Sequence, residues 1–590
     1  MAGLLALWLM AWIYWGLGPR LVYMARWPEF SLAPEFARST LAEVGGLAHY
    51  GGAFFGQLDY WPIAGTLVRL AQVVAVGLLA RGIARRAGCR RAAAVGYATV
   101  IPYLLLAGRH DVSPALGLMV GGMLALVLLW QRLPALAPAV RYMLFLVILA
   151  IDARALAGAA GSAPLYANLL GLAALALVVD RPKLGWWPLY LLPAMAAAAL
   201  LAPHLPPIVL STPPDPAGIT VVLSALLMVA APLSLLVLRA LPEASEPREA
   251  KVSPRLLLLG GIGLLQLLTT RFAANQPALE QARRDERYLA GRWQAILAEE
   301  RVAPSKDLLA MHDVGAALSH TGRLSEELFE HPLMREALLI PLRSPATLSC
   351  RMRLADQCLA IGRVNDAEHG LHNSLPYIGA NPYLLQRLAM VYLVKDEPLA
   401  ARLYLNALSY DVVWHGWAQR YLRHIAAGRS LGELPEVAAL RANMMPRDDM
   451  FEVTNVAEGS DDVVFNRAVS LRHLLDANPR NVRALEYLMA IHLLACCTDE
   501  LVRDLPRARA AGLTQLPEPW AEAVLFWVDT NHTPPPLAGL TISNESCQRY
   551  ERYKQILAEH DYVRSAARGP IAQALPGTWL AFQAQVEGSP

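Results

Sequence analysis

Charged side chains are scarce in this 590-residue chain: they make up 17% of it, against roughly 25% in a typical soluble domain. Apolar residues make up 55%, and between Met1 and Phe272 they form long runs of Leu, Ala, Val and Trp. Charge returns from Ala278 onward, for example in EQARRDERY at 280–288. This distribution excludes a wholly soluble protein, a fibrous repeat and a disordered chain. It predicts a membrane half, 1–272, followed by a soluble half, 278–590.

The signatures of several enzyme classes are also missing. The chain contains no G-x-x-x-x-G-K-[ST], no H-E-x-x-H and no nucleophile elbow. The paired glycines within 45–52 do not follow a predicted strand, so they do not indicate a nucleotide-binding loop. These absences disfavour an ATPase. The net charge of +3 gives no reason to expect a nucleic-acid partner.

Cysteine is sparse, with six in the whole chain, and none has the spacing of a zinc site. Cys350 and Cys358 lie eight residues apart on one predicted helix. That spacing separates their Cα atoms by about 12 Å, beyond the roughly 7 Å that a disulfide spans. A bridge from Cys547 to Cys496 or Cys497 stays open. The alternative is that these cysteines are small buried hydrophobic side chains.

Nine apolar segments approach the roughly 20 residues that a spanning helix needs. They are 2–18, 63–80, 93–107, 114–130, 142–158, 164–179, 185–202, 219–238 and 255–270. The first lacks a basic leader and an A-x-A cleavage site, so it is predicted to be an anchor and not a signal peptide. The fold class predicted is therefore all-α: a polytopic transmembrane bundle of about nine spans, followed by a helical domain.

The distribution of Lys and Arg predicts the orientation. With a cytoplasmic N-terminus, the inner loops hold thirteen basic residues and the outer loops five. Nine spans would then place everything after Phe272 outside the cytoplasm. The predicted location is a membrane, with the C-terminal domain on its outer side.

The first outer loop, 19–62, is too long for a simple connection. Residues 40–60 are predicted to form an amphipathic helix, broken by the Gly45–Gly46 and Gly51–Gly52 pairs. Phe54, Phe55, Tyr60 and Trp61 cluster at its end, as suits the membrane–water interface.

The soluble half shows helical periodicity throughout. Two helix pairs, 348–379 and 381–411, are predicted to be repeats, with Ala367 of the first aligned to Ala400 of the second. That step is close to the length of a tetratricopeptide repeat, about 34 residues. Small residues are expected at the helix contacts, namely Ala355, Ala367, Ala389, Ala400 and Ala407. A later pair starts at Asn478. An irregular helical bundle is the alternative, and either arrangement offers a surface for a protein partner.

Polar groups in the outer loops are the candidates for chemistry. Asp59, His110 and Asp111 are the predicted catalytic residues, and Glu43 with Asp59 the predicted metal ligands. Carboxylates beside a histidine suit a divalent metal or a general base. We expect Asp59, His110 and Asp111 to converge at the mouth of one cavity. The alternative is that they are ordinary solvated loop residues.

Two stretches carry a family resemblance. GGLAHYGGAFFGQLDYWPIAG at 45–65 resembles the first outer loop of an uncharacterised multi-pass membrane protein family common in Bacteroidetes. The region from ERYLAGRWQAIL (286–297) to WAQRYL (417–422) resembles that family's C-terminal part. The resemblance implies a multi-pass protein of a bacterial inner membrane, with a tetratricopeptide-like domain in the periplasm. It does not point to any particular activity.

The architecture is also similar to that of multi-pass glycosyltransferases that use polyprenyl-phosphate sugars. Those enzymes need an acidic motif in the first outer loop, for which Glu43 and Asp59 are available, although the usual closely spaced acidic pair is absent. The favoured hypothesis is a membrane protein whose helical domain binds a partner or scaffolds envelope assembly or export. A glycosyltransferase, with a divalent metal, is the alternative. A transporter is least favoured, because no inverted repeat is evident and the spans are expected to lack paired internal charges.

Overall fold

The computed structural model describes fourteen stretches of the chain. They are residues 2–18, 30–107, 114–133, 136–157, 162–181, 186–204, 219–240, 264, 276–302, 304, 307–339, 348–445, 463–534 and 537–586. Within them the chain is helical, and its β pairing is an isolated bridge between Gln515 and Thr541. The prediction of an all-α fold is confirmed at that level.

Ten α-helices precede residue 241 in the part of the chain that the structure describes. They are α1 (Ala2–Ala11), α2 (Pro34–Ala42), α3 (Gly46–Leu58), α4 (Pro62–Arg86), α5 (Ala92–Ala107), α6 (Ala115–Trp130), α7 (Pro138–Ala155), α8 (Ser162–Asp180), α9 (Trp187–Leu201) and α10 (Ile219–Ala240). A π-helical turn, Trp12–Leu17, extends α1.

From Gln276 onward, the described residues form eighteen α-helices. They are α11 (Gln276–Leu289), α12 (Trp293–Val302), α13 (Leu308–His320), α14 (Leu324–Glu327), α15 (Arg335–Leu338), α16 (Leu348–Ile361), α17 (Val364–Ile378), α18 (Pro382–Val394), α19 (Pro398–Leu408), α20 (His415–Ala426), α21 (Pro435–Arg441), α22 (Val463–Ala477), α23 (Val482–Leu494), α24 (Thr498–Ala510), α25 (Glu518–Asn531), α26 (Asn544–Glu559), α27 (Arg564–Ala574) and α28 (Trp579–Val586).

The chain forms two compact units. Unit 1 comprises Met1–Glu286, Ile378–Tyr383 and Ala407–Ala418; unit 2 comprises Arg287–Tyr377, Leu384–Asn406 and Gln419–Pro590. The boundary between a 1–272 and a 278–590 domain, in the sense of parts that fold alone, stays a prediction.

Eight of the nine predicted apolar segments coincide with helices of unit 1, and the ninth, 255–270, lies outside the described residues apart from Leu264. Among the described helices, α4 alone is both long and apolar enough to cross a membrane by those two criteria. Shorter apolar helices include Ala92–Leu106, Ala115–Trp130 and Leu165–Asp180. The count of nine spans therefore stays a prediction.

Close backbone contacts hold the helices of unit 1 together. A Cβ on Gly96 of α5 would lie 2.7 Å from the carbonyl oxygen of Gly77 on α4, so these two helices pack at backbone distance. A Cβ on Gly52 would lie 2.5 Å from that of Ala115, which brings α3 against the start of α6. The predicted break at Gly51–Gly52 is therefore wrong, because these glycines lie inside α3 and serve its packing. The break falls at Gly45, whose φ of 72° separates α2 from α3.

Helix pairs of regular length build unit 2. The interval between the starts of the two helices is the same in three pairs: Leu348 to Val364, Pro382 to Pro398, and Val482 to Thr498. The number of residues from the start of α16 to the start of α18 also equals the number from the start of α17 to the start of α19. That number is the length of a tetratricopeptide repeat, about 34 residues. Ala355, Ala367 and Ala389 are buried as predicted.

The predicted repeat alignment is wrong by one position. Ala401 is fully buried in α19, whereas Ala400 is half-buried and Ala407 is exposed. Ala367 therefore corresponds to Ala401, which agrees with the interval between the helix starts. Two neighbouring alanines, Ala400 and Ala401, made the register ambiguous in the sequence.

A buried ion pair lies at the start of this unit. Arg353 of α16 donates to Asp313 of α13 through Nε at 2.5 Å and Nη2 at 2.8 Å, and each side chain is only 3% exposed. The guanidinium carbon also lies 4.6 Å from the centre of the Tyr288 ring. Two-point binding and the aromatic face offset the desolvation of both charges.

We expect Asp313→Asn to lower the free energy of unfolding of unit 2 by about 3 kcal/mol, because it leaves the buried Arg353 without its counter-ion. Circular dichroism during denaturant unfolding of the full chain measures the change. Glu336→Gln is the matched control, since its ion pair with Arg335 is exposed and is worth at most about 1 kcal/mol. Equal losses in both variants would contradict this role for the buried pair.

Candidate functional site

Asp59, the central predicted catalytic residue, is buried. It follows the last residue of α3, is 1% exposed, and accepts a hydrogen bond from Nη2 of Arg69 at 2.7 Å. Gly65 lies directly against it, since a Cβ there would be 2.7 Å from Asp59 Oδ1. The carboxylate is therefore enclosed between α3 and the first turn of α4, in contact with a cation.

A polar network continues from this pair through three helices. Thr66, Arg69 and Gln72 share the buried face of α4. Gln72 accepts from the Tyr103 hydroxyl on α5 at 2.8 Å and donates to the carbonyl oxygen of Pro114, just before α6, at 3.1 Å. Hydrogen bonds thus connect α4 with α5 and with the start of α6 inside an apolar unit.

This network overturns the expectation that the predicted spans lack paired internal charges. Arg69 lies within the segment 63–80 and pairs with Asp59. The signal that finds it is a three-residue spacing of polar side chains, Thr66, Arg69 and Gln72, which lie on one helix face. Average hydropathy over the segment conceals such a pattern.

Glu43, the other predicted metal ligand, has a different environment. Its side chain is exposed and lies 3.7 Å from Nδ1 of His49. Its backbone is held by Arg154 at the end of α7, which donates to the carbonyl oxygens of Glu43 and Ala42. In return the amide of Gly45 donates to the carbonyl oxygen of Arg154 at 3.0 Å. Arg154 therefore ties the α2–α3 turn to α7.

The other two predicted catalytic residues, His110 and Asp111, lie outside the described residues, so their convergence with Asp59 stays a prediction. In the part of the chain that the structure describes, no three His, Cys, Asp or Glu side chains are grouped so as to hold a metal ion. Asp59 contacts Arg69 and Glu43 contacts His49, so the two predicted ligands have different neighbours. Cys89, Cys496 and Cys547 are free cysteines.

A cavity of about 220 Å³ lies within unit 2. Its walls combine aromatic, charged and apolar side chains from α11, α12, α13, α16, α18 and α21. They are Tyr288, Leu289, Gly291, Trp293, His320, Asp356, Leu359, Ala360, Arg387, Met390 and Leu440. Reasoning from the sequence missed this site, because its residues are spread from Tyr288 to Leu440 and each is unremarkable alone.

Aromatic side chains form one wall of this cavity. The rings of Trp293 and His320 stack at 4.3 Å and are nearly parallel, and Tyr288 meets Trp293 edge to face at 5.3 Å. His320 is exposed at its edge, but desolvation, with the positive charge of Arg483, lowers its pKa to about 4. At neutral pH the histidine is therefore an uncharged ring on the rim.

An ion pair forms another part of the wall. Arg387 donates to both carboxylate oxygens of Asp356, through Nε to Oδ1 and through Nη2 to Oδ2 at 3.3 Å. Both side chains are partly buried. The two charges cancel, so this pair offers hydrogen-bonding groups without a net charge next to apolar and aromatic surface. Such a combination is typical of binding pockets.

Asparagine side chains fix the backbone next to the cavity. Asn443 donates to the carbonyl oxygen of Ala360 at 2.9 Å, and Asn481 donates to those of Ile361 and Asn443 at 2.9 and 2.8 Å. A Cβ on Gly362 would lie 2.1 Å from the Asn443 carbonyl oxygen, so the turn after α16 admits only glycine. Its φ of 97° imposes the same restriction.

The class of protein is therefore a helical chain of two units. The first unit is largely apolar and encloses a polar network. The second unit contains repeated helix pairs and a small cavity lined by polar and apolar side chains. The chain belongs to the family described as "family of unknown function (DUF6057)", which matches residues 1–574. The prediction of an uncharacterised family is confirmed to that extent. Comparisons with curated proteins and with solved structures found no match.

We expect Gly117→Ala to destabilise unit 1 by about 1–3 kcal/mol, as overpacking of a filled interior does. A Cβ at Gly117 of α6 would lie 2.5 Å from the Tyr103 hydroxyl and 2.8 Å from Gln72 Oε1, within the polar network. The melting temperature of the full chain in detergent measures the loss.

Gly121→Ala is the control on the same helix, because no atom of another described element lies within 4 Å of its Cβ position. An alanine there should leave stability unchanged or raise it, since alanine favours helix over glycine. If Gly117→Ala melts no lower than Gly121→Ala, the network does not fill the space at α6.

Proposed function

We propose that the chain is an integral membrane protein whose unit 1 lies in the lipid bilayer and whose unit 2 binds a protein partner. The observation that carries this proposal is the distribution of side chains in α4. Leu67 is 53% exposed, while Arg69, two residues later, is 8% exposed. Water would favour the opposite arrangement, whereas lipid favours apolar side chains outside and polar ones within.

The same arrangement recurs around unit 1. Apolar side chains at helical spacing form exposed stripes on α4, α7, α9 and α10. They are Ile63, Leu67, Val74 and Leu78; Val140, Met143, Val147 and Ile151; Leu189, Leu192, Met195 and Leu200; and Leu226, Leu233, Leu236 and Val237. Four parallel observations of this kind support a lipid-facing surface better than a single apolar patch does.

In more detail, we propose that unit 1 is a bundle of about nine transmembrane helices. The 25 residues of α4 reach about 37 Å, enough for a hydrocarbon core of about 30 Å. The 16 residues of α6 reach about 24 Å, but this helix is buried along much of its length and needs little lipid contact. Local thinning or tilt of neighbouring helices accommodates such differences.

The orientation proposed is a cytoplasmic N-terminus in a bacterial inner membrane, with unit 2 in the periplasm. Its support is the excess of basic residues in the predicted inner loops. Arg85 and Arg86 end α4, and Arg90 and Arg91 precede α5. The connection between these helices therefore presents a concentrated positive charge at one end of unit 1.

The protein partner is proposed to bind at unit 2. The regular recurrence of α16 and α17 as α18 and α19 supports tetratricopeptide-like stacking, which offers extended surfaces to other proteins. The cavity beside Trp293 and His320 provides an aromatic and hydrogen-bonding pocket for an anchoring side chain. Such a protein would scaffold envelope assembly or export.

The glycosyltransferase alternative finds less support. Its acidic residue in the first outer loop must reach a metal or an acceptor, yet Asp59 is buried against Arg69. Glu43 is accessible, but its neighbour is His49 at the surface. Asp59 is better explained as a structural counter-ion that allows α4 to keep Arg69 inside unit 1.

We expect Val74→Asp to reduce the fraction of protein in carbonate-washed membranes. Val74 is 45% exposed at the middle of α4, and a charged residue costs about 2.5–3.5 kcal/mol at the centre of a spanning helix, whereas on a water-facing surface it costs little. Leu399→Asp is the control, since Leu399 is 79% exposed in unit 2. Equal membrane fractions for both variants and the unaltered protein would contradict a lipid-facing α4.

The proposed orientation predicts that Cys497 and Cys547 react with a membrane-impermeant maleimide in spheroplasts that express the full chain, because both side chains are exposed. The double variant Cys497→Ser, Cys547→Ser should lose this labelling. Labelling that requires lysis of the spheroplasts would place unit 2 in the cytoplasm.

Partner binding predicts a discrete cross-linked product when a photoreactive amino acid replaces His320, on the rim of the cavity. Trp293→Ala should remove the product, because it removes the stacked wall. The same photoreactive residue at Leu403, which is exposed on α19, is the control position. Products that are identical at both positions, or that persist without Trp293, would exclude the cavity as the contact.

A further inference from the structure

Two buried polar side chains of unit 1 contact each other between α7 and α8. Asp152 lies on α7 and Asn168 on α8, and both are 0% exposed. Asn168 Nδ2 donates to Asp152 Oδ2 at 2.6 Å. The second polar atom of each side chain, Oδ1, is buried and has no hydrogen-bond partner among the described residues.

The chemistry of these two atoms is informative. An ionised carboxylate only accepts hydrogen bonds, and so does an amide oxygen. Two buried acceptors without donors, one of them on a charged group, are expensive. A proton on Asp152 Oδ1 turns that atom into a donor for Asn168 Oδ1. An acid and an amide can then close a ring of two hydrogen bonds, which gives both oxygens a partner.

The charged groups near α7 have other partners. Arg154, two residues after Asp152, donates to the carbonyl oxygens of Ala42 and Glu43. Arg141, at the other end of α7, pairs with Asp180. The helices packed chiefly on α7 are α3, α6, α8 and α9. The titratable groups on these four helices are His49, Tyr50, Tyr166, Asp180 and Tyr190, and Asp59 directly follows α3. Besides Asp152, α7 itself carries Arg141, Tyr142 and Arg154. Within the described residues, no ion pair compensates a charge on Asp152.

We propose that Asp152 is a proton-binding site, in which a neutral carboxylic acid donates from Oδ1 to Asn168 and accepts at Oδ2 from the same amide. Binding adds one proton to the carboxylate and breaks no bond. The inference rests on the burial and pairing of these two residues, and it holds whichever solvent surrounds unit 1. It therefore stands or falls separately from the proposed partner binding.

Infrared spectroscopy of the full chain in lipid nanodiscs tests the protonation state directly. The unaltered protein at pH 7 should show the C=O stretch of a protonated carboxyl that shifts in D₂O and is absent from Asp152→Asn. The variant is nearly isosteric, and its amide can form the same two-bond ring with Asn168. A spectrum in which the unaltered protein differs from Asp152→Asn only by a carboxylate band would overturn the proposal.

The pH dependence of stability provides a second measurement. In the unfolded chain Asp152 ionises near its ordinary pKa of about 3.9. Where the folded chain keeps the proton and the unfolded chain does not, the folding equilibrium constant falls about tenfold per pH unit. The melting temperature of the unaltered protein should therefore fall, relative to that of Asp152→Asn, between pH 5 and pH 7.

Asn168→Leu distinguishes the hydrogen bonds of Asn168 from its packing, because leucine has a similar size but no amide. It should lower the melting temperature, and it should move the carboxyl band to the position of an acid without an acceptor. Parallel pH curves for the unaltered protein and Asp152→Asn would overturn the proposal. A rise in stability with NaCl that depends on Asp152, together with a carboxylate band, would overturn it in favour of a bound monovalent cation.

Discussion

The buried contact between Arg69 and Asp59 constrains the arrangement of unit 1. A guanidinium cannot be deprotonated at ordinary pH, so an arginine on the inner face of an apolar helix needs a counter-ion and further hydrogen bonds. Asp59 supplies the counter-ion from the end of α3. This requirement places α3 against the first turns of α4, and it explains why Gly65, which touches the carboxylate, has no side chain.

The polar interior has consequences for the outer surface of the unit. Because Thr66, Arg69 and Gln72 occupy the inner face of α4, the apolar side chains of the same helix face outward. The same holds for α7, which buries Asp152 and exposes Val147 and Ile151. Polar groups within and apolar groups outside form one arrangement, and this arrangement is the support for the proposed place of unit 1 in a bilayer.

Paired charges and fixed turns stabilise unit 2. The buried Asp313 and Arg353 pair with each other, and the turn after α16 is fixed by asparagine side chains and by Gly362. Local regularity sets the helix pairs, since the same interval separates the two helix starts in each of three pairs. The cavity arises where the pairs meet the aromatic side chains of α11 and α12, so it depends on the assembly of the unit and not on any one repeat.

The sequence by itself determined the helices and their approximate bounds. Apolar runs and helical periodicity are local properties, so eight of the nine apolar segments and the repeated pairs could be predicted. Tertiary structure alone decided the environment of each polar residue. Asp59 looked like an accessible carboxylate in a loop, and its burial depends on Arg69, which a different helix brings to it. Asp152 and Asn168, and likewise Trp293 and His320, meet only because separate helices pack. The spacing of apolar residues in the sequence indicates which helix faces are apolar. The partner of a buried charge or aromatic ring is set by contacts between helices that are distant in the chain, so it cannot be derived from that spacing.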